Sequence, residues 1–330
     1  MSKVRWGILS TAKIGREQVI PAIHRSKLAE VAAIASGREN VNEIARDLNI
    51  PTTYSSYEEL LRDPSIDVVY IPLPNHLHKK WVIEAAKHGK HVLCEKPATL
   101  DSEETKEMVA VCREQNVKFM EAFMYQFHPM NQRVKEIIAN GEIGEVKIVR
   151  SSFSFYLSDR DTNIRMKKEM GGGALYDIGC YCIHVIRMIT GSEPKLIKAT
   201  ATIDDKTGVD ITTTVLMKLE NGVQATFDCS FDMFGGQYYE VVGTKGKITV
   251  PYAFRPDQHG NGDGIVNVVS GNGERTETFP ADTYVLEVDH LSEAILKDQD
   301  PSYTGEHAIQ NMRVIEACLQ AIEEGKEVLM

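Results

Sequence analysis

The apolar positions fall into two regimes along the chain. Up to about residue 120 they form short continuous runs, Val4–Leu9, Ala29–Ala35, Asp67–Pro72, His91–Cys94 and Val117–Met120. Runs of this length suit parallel strands buried on both faces. Between them the apolar residues recur at helical spacing: from the Ser10–Gly15 turn to about Arg25, over Asn40–Leu48 and Tyr57–Arg62, and from His78 to about Gly89. The same spacing holds over Asp101–Gln115, with Asp101 placed to cap and Glu104 three residues on. Strands alternating with helices predict a doubly wound parallel sheet, an N-terminal Rossmann-type domain over residues 1–122.

From Phe123 the pattern changes. A helix is expected to end near Asn140, followed by a long alternating strand, Val146–Tyr156, and a helix from Ala174 to about Thr190. Strand-like runs follow at Lys195–Ile203, Asp210–Leu219, Val223–Phe231, Tyr238–Gly243 and Lys247–Val250, with Asn221-Gly222 as a hairpin turn. Residues 123–330 therefore read as an α+β domain with an open, mainly antiparallel sheet. Helices near 283–325 close it, and the polar, glycine-rich stretch Pro251–Gly264 reads as a mobile loop. The strands outnumber the helices available to cover both faces, so a homo-oligomer, a dimer or a dimer of dimers, is expected through the bare face.

Composition narrows the class. The chain has 330 residues, 42% of them hydrophobic and 25% charged, with a net charge of −10. This is the profile of a globular protein whose main partner is neither nucleic acid nor an anionic membrane. No apolar run is long enough to span a bilayer, and Met1-Ser2-Lys3 leads straight into a strand without a signal-peptide pattern. The six cysteines sit within apolar patterns and read as reduced core residues of a cytoplasmic protein. Cys180-Tyr-Cys182 is too short for a metal site, and none is expected.

Candidate chemistry gathers at strand ends, where open α/β sheets bind ligands. After the first strand, Ser10-Thr11-Ala12-Lys-Ile14-Gly15 stands where a G-x-G-x-x-G fingerprint would fall. Small residues there still allow a backbone approach to a pyrophosphate at a helix N-terminus; an ordinary strand-to-helix turn is the alternative. After the second strand, Ser36-Gly37-Arg38 offers a hydroxyl and a guanidinium in place of the acidic residue that holds the ribose of NAD. That suits a 2′-phosphate, hence NADP with NAD as the alternative, or else a solvated turn. After the fourth run, His91–Cys94, the chain stops on Glu95-Lys96-Pro97, which puts an ammonium where cofactor and substrate would meet. Asp177, Tyr181 and His184, spaced four and then three, share one face of an almost wholly apolar helix. Three such groups need partners or a polar cavity, so a satisfied core network is the competing reading.

The chain resembles the Gfo/Idh/MocA oxidoreductases over essentially its whole length. The resemblance is carried by the Ser10–Gly15 turn, by Pro74-Asn75 with His78, and by Gly89-Lys-His-Val leading to Glu95-Lys96-Pro97. Gly171-Gly-Gly-Ala-Leu-Tyr-Asp177-Ile-Gly-Cys-Tyr181 completes it. It implies hydride transfer between NAD(P) and a sugar, polyol or related diol. It further implies a cofactor site that includes Leu73, Pro74, Asn75, His78, Glu95, Lys96 and Pro97, and a cis peptide before Pro97. Tyr181, rather than histidine, resembles the dihydrodiol, xylose and glucose–fructose oxidoreductase branch. The family pattern is depleted of glycine at Ser10 and Ala12, and Gln126 stands where many relatives carry arginine. The reading is an NADP-dependent dehydrogenase or reductase with Tyr181 as general acid–base, Lys96 as its electrostatic partner, Asp177 orienting Lys96 or a substrate hydroxyl, and His184 touching substrate. The alternatives are a non-catalytic NAD(P)-binding regulator, or a reductase of a non-sugar substrate, on the same frame.

Overall fold

In the computed structural model, residues 3–330 are described; Met1 and Ser2, which the sequence reading took as leading directly into the first strand, lie outside them. The elements run in the order β1 (Val4–Leu9), α1 (Ile20–Arg25), β2 (Ala29–Ala35), α2 (Val41–Asp47), β3 (Thr52–Tyr54), α3 (Tyr57–Leu61), β4 (Val68–Ile71), α4 (His78–Lys87), β5 (His91–Cys94), α5 (Ser102–Glu114) and β6 (Phe119–Glu121). The six strands pair in parallel in the order β3-β2-β1-β4-β5-β6. The strand order reverses between β1 and β4, the position at which doubly wound sheets bind dinucleotides. Local chemistry fixes the helix ends. Asp101 accepts from the Glu104 N–H at 2.7 Å, and Ser56 with Glu59 forms a reciprocal capping box at the start of α3. Asn49 and Asn116 take left-handed φ of 54° just past α2 and α5, where asparagine tolerates it.

The remaining elements are α6 (Pro129–Ala139), β7 (Val146–Tyr156), α7 (Cys180–Thr190), β8 (Pro194–Ile203), β9 (Asp210–Leu219), β10 (Gln224–Ser230), β11 (Asp232–Gly243), β12 (Gly246–Pro251), β13 (Gly264–Ser270), β14 (Gly273–Phe279), α8 (Thr283–Leu296), α9 (Gly305–Glu324) and β15 (Val328–Leu329). Nine of the described strands form one sheet ordered β14-β13-β12-β11-β7-β10-β9-β8-β15. It is antiparallel except where β7 and β10 run parallel. Its inner face carries Val149, Phe153, Val215, Phe227 and Tyr239 towards α7. On the outer face Leu216, Tyr238 and Tyr156 are 43%, 41% and 67% exposed. All six cysteines are buried free thiols.

The chain divides into two compact units, one of residues up to Met124 plus Thr283–Met312, the other of Tyr125–Asp282 plus Arg313–Met330. A single cut at 122/123 therefore misplaces α8, expected to close the second half. It packs in the first unit instead, where the Trp6 indole N–H donates to Ser292 Oγ at 3.2 Å and the Ser26 hydroxyl donates to Asp289. The stretch Pro251–Gly264 is likewise not a free loop. Ala253 and Phe254 are fully buried, and Pro256–Gln258 forms a helical turn. The β13–β14 hairpin, β3 and β15 were not expected. β3 and β15 are very short and β14 is strongly polar, so their apolar alternation is weak, whereas β13 alternates with Val266 and Val268 buried but begins in the stretch read as a loop.

Candidate active site

In the first unit, four strand-end segments carry the expected cofactor residues. Ser10, just past β1, takes φ 125°, a left-handed value where the fingerprint has glycine. Its hydroxyl compensates, donating to Pro72 O at 3.1 Å and accepting from Ala12 N at 3.2 Å. The turn after β1 is thereby tied to the one after β4. The chain is helical from Lys13, so the first N–H groups, at Lys13, Ile14 and Gly15, have no acceptor within the helix and favour an anion. Thr11 is 3% exposed, and its Oγ1 has no partner among the described residues. A Cβ at Gly15 would meet Tyr70 and Pro72 only at 3.5 and 3.6 Å, so packing within the protein does not demand glycine there. An orphaned hydroxyl at a helix start and a glycine without an internal reason both fit a bound pyrophosphate.

At the end of β2, Ser36 is buried and its Oγ accepts from Arg38 N at 3.2 Å, while the Arg38 side chain is exposed. No carboxylate occupies this strand end. After β4, Leu73, Pro74 and Asn75 lead into α4. His78 is fully buried, with Nε2 2.7 Å from Leu73 O and Nδ1 3.0 Å from Pro97 O. Its ring joins the turn after β4 to the turn after β5. Burial outweighs these two carbonyls, and with a lesser push from Lys96 it holds the ring neutral, lowering its pKa to about 4. The Lys96–Pro97 peptide is cis. Glu95 Oε1 accepts from the Tyr70 hydroxyl at 2.6 Å, and Glu95 Oε2 from Lys96 N at 3.3 Å.

In the second unit, Gly173 takes φ 115° and opens a π-helical turn, Leu175–Gly179, that continues into α7. The buried Asp210 on β9 caps this start, accepting from Leu175 N at 2.8 Å and from the Thr213 hydroxyl at 2.7 Å. Asp177, Tyr181 and His184 fall on one face, as their spacing requires. Tyr181 is 6% exposed, with ring contacts to Tyr125, Phe153 and Phe254 at centroid distances of 5.8, 5.4 and 5.4 Å. His184 is 2% exposed, and its Nδ1 lies 2.5 Å from the Tyr125 hydroxyl. Expected as a substrate contact, it is engaged in this internal hydrogen bond. Asp177, expected to orient Lys96 or bind substrate, pairs with Arg165, whose Nε lies 2.5 Å from Asp177 Oδ2.

Arg165 and Phe254 escaped the sequence reading. Arg165 lies in an irregular stretch with no periodicity to mark it. Phe254 is the sole aromatic in a polar stretch after Tyr252, a signal that could have flagged an anchored rather than a free segment.

The comparisons with known proteins agree with this architecture. The description "Oxidoreductase family, NAD-binding Rossmann fold" matches residues 4–123, and "GFO/IDH/MocA C-terminal domain" matches residues 131–249. The chain belongs to the Gfo/Idh/MocA oxidoreductase family. It is similar to D-xylose 1-dehydrogenase (NADP(+)) 2 of Haloferax volcanii, 40% identical over 98% of each chain. It is 36% identical to trans-1,2-dihydrobenzene-1,2-diol dehydrogenase of Mus musculus, covering 84% of this chain and 80% of that one. Among solved structures, aldose-aldose oxidoreductase of Caulobacter crescentus superposes with a TM-score of 0.92 at 26% identity over the full length of both chains. This family member is thus an NAD(P)-dependent dehydrogenase or reductase. No helix among its described residues is long and apolar enough to cross a membrane, and no cluster among them could hold a metal ion.

Proposed function

We propose that the enzyme is an NADP-linked dehydrogenase of sugars, polyols or trans-dihydrodiols, working also as the reductase of the matching carbonyl. Tyr181 carries the reading. It is a phenol set among aromatic rings at the head of a buried helix, with an ion pair one turn before it. The similarity to a xylose dehydrogenase and a dihydrodiol dehydrogenase supports a carbon bearing a hydroxyl as the reacting centre. The nicotinamide, when bound, supplies or accepts the hydride. The protein must then move one proton at the substrate oxygen, and we assign that proton to the Tyr181 hydroxyl, with the Lys96 ammonium favouring the phenolate. Ser36 and Arg38 support NADP over NAD, since a guanidinium and a hydroxyl bind a 2′-phosphate and the strand end lacks the carboxylate that would repel it. The remaining cofactor contacts are assigned to Ser10–Gly15, Leu73–Asn75 and Glu95–Pro97, with His78 holding these turns. We further propose a homodimer through the outer sheet face bearing Tyr156, Leu216 and Tyr238.

The test is an absorbance assay at the reduced-nicotinamide band, with NADP and NAD, against D-xylose and other aldoses, polyols and trans-dihydrobenzenediol. Turnover with at least one of these hydroxyl compounds and NADP is expected. Binding of NADP without turnover of any of them would overturn the substrate class.

A further inference from the structure

An acidic residue one helical turn before an acid–base tyrosine is, taken alone, a disadvantage. Asp177 and Tyr181 are four residues apart on one face, and a carboxylate at that spacing opposes formation of a phenolate. The structure supplies the compensation. Arg165 approaches from outside the helix, its Nε 2.5 Å from Asp177 Oδ2, with 39% of its side-chain surface exposed. Its guanidinium lies 5.8 Å from the Phe155 ring centroid. Asp177, and less strongly Asp159, hold the guanidinium protonated.

The backbone of Arg165 is fixed as firmly as its side chain. Its N–H donates to Asn163 Oδ1 at 3.0 Å, and its carbonyl accepts from Gly173 N at 2.9 Å, immediately before the helix that carries Asp177 and Tyr181. Gly172 admits this approach because a Cβ there would lie 2.6 Å from Arg165 O. One residue is therefore anchored twice, by its carbonyl to the start of the helix and by its guanidinium to the residue one turn before the phenol.

We propose that Arg165 is a positioning residue for the reaction: by pairing with Asp177, one turn before Tyr181, it offsets the carboxylate that would oppose a phenolate and so favours the proton-accepting form of Tyr181. This rests on the assignment of Tyr181 as acid–base. Tyr181 also faces Tyr125, whose hydroxyl is bonded to His184, and the uncharged rings of Phe153 and Phe254.

The test follows the ionisation of Tyr181 directly. The full-length protein is labelled with 13C at the tyrosine ring carbon bonded to oxygen, and the Tyr181 signal is identified by its loss in Tyr181→Phe. Arg165→Met should raise the ionisation midpoint by about one pH unit, Arg165→Lys by clearly less, and Asp177→Asn should lower it. A one-unit rise leaves about tenfold less phenolate at neutral pH. The kcat/KM of Arg165→Met for the best substrate in the assay above should accordingly fall about tenfold at neutral pH and recover at alkaline pH. A purely structural role predicts no such recovery and no opposite shifts. An unmoved midpoint in Arg165→Met overturns the proposal. If that variant fails to fold, a midpoint in Asp177→Asn that rises or stays put overturns it. Should Tyr181→Phe retain most of its turnover, the acid–base assignment falls, while the titration still reports separately on Arg165.

Discussion

The Tyr125 hydroxyl lies 2.5 Å from His184 Nδ1, one helical turn beyond Tyr181, and both residues are almost wholly buried. Tyr125 also shares ring contacts with Tyr181 and Phe254. A single side chain thus braces both the imidazole and the phenol of α7. Tyr125→Phe keeps the ring contacts and removes the hydroxyl. It should cost about 1–3 kcal/mol of stability, because the imidazole loses a partner without water to replace it. Urea denaturation of the two proteins checks this; an unchanged midpoint would mean the bond contributes nothing net.

Cofactor choice should rest on Arg38. A guanidinium–phosphate pair is a charge-assisted bond of roughly 1.5–3 kcal/mol, equivalent to a ten- to hundredfold preference. Arg38→Ala should raise KM for NADP by about that factor and leave KM for NAD nearly unchanged. Equal losses with both cofactors, or a wild-type preference for NAD, would remove the assignment.

Burial keeps His78 neutral, with its pKa lowered to about 4 from 6.5, although the Leu73 and Pro97 carbonyls it faces favour the protonated ring. The sign follows from proton counting. Between about pH 6.5 and 4 the unfolded chain binds a proton at this position that the folded chain does not, so the stabilisation is complete above pH 6.5 and drains away as pH falls towards 4. The amount is on the order of 3 kcal/mol. His128, also lowered to about 4 by burial, adds to the same window. Denaturation at pH 7.5, 6, 5 and 4 should show a steep loss that is shallower in His78→Gln. Stability independent of pH over this range would mean that the ring is not held neutral.

The legible part of this fold is the part in which local pattern and tertiary environment say the same thing. β1, β2, β4 and β5 are buried on both faces, so each is a continuous apolar run. Asp101 and Glu104 announce a cap whose hydrogen bond is local. The spacing of Asp177, Tyr181 and His184 fixes their common face whatever surrounds it. What the sequence could not show depends on partners far away in the chain. Asp177 acquires Arg165 from an aperiodic segment, and His184 acquires Tyr125 across 59 positions. The segment around Phe254 is polar, yet the burial of one ring decides its path. Helix α8 is placed in the first unit by contacts with Trp6 and Ser26, almost the whole chain away.

The outer sheet face should be covered in solution by a second copy. Tyr156, Leu216 and Tyr238 are large apolar or aromatic groups on a surface otherwise carrying threonines and charges, and Phe234 beside it is 97% exposed. Light scattering should report twice the chain mass at micromolar concentration. Leu216→Asp combined with Tyr238→Asp should shift it to one chain mass, because two buried charges would face their own symmetry copies. A wild type that stays at one chain mass rejects the dimer.

The deciding experiment for the chemistry is the pair Lys96 and Tyr181. Tyr181→Phe keeps the ring among Tyr125, Phe153 and Phe254 and deletes only the hydroxyl. If that hydroxyl moves the proton, turnover should fall by roughly 10²–10⁴, while NADP binding should barely change because the loss lies in the chemical step. Lys96→Met should also reduce turnover steeply. If the ammonium acts by favouring the phenolate, it has nothing left to favour once the hydroxyl is gone. The double variant should then lose far less than the product of the two single losses. A satisfied core network predicts the reverse: about 1 kcal/mol of lost stability in Tyr181→Phe with turnover per folded molecule intact. Turnover measured alongside the thermal midpoint separates the two. A Phe variant that keeps more than about a tenth of wild-type turnover would show that the proton is handled by another group, with Asp177 and His184 the next to be tested on the same helix face.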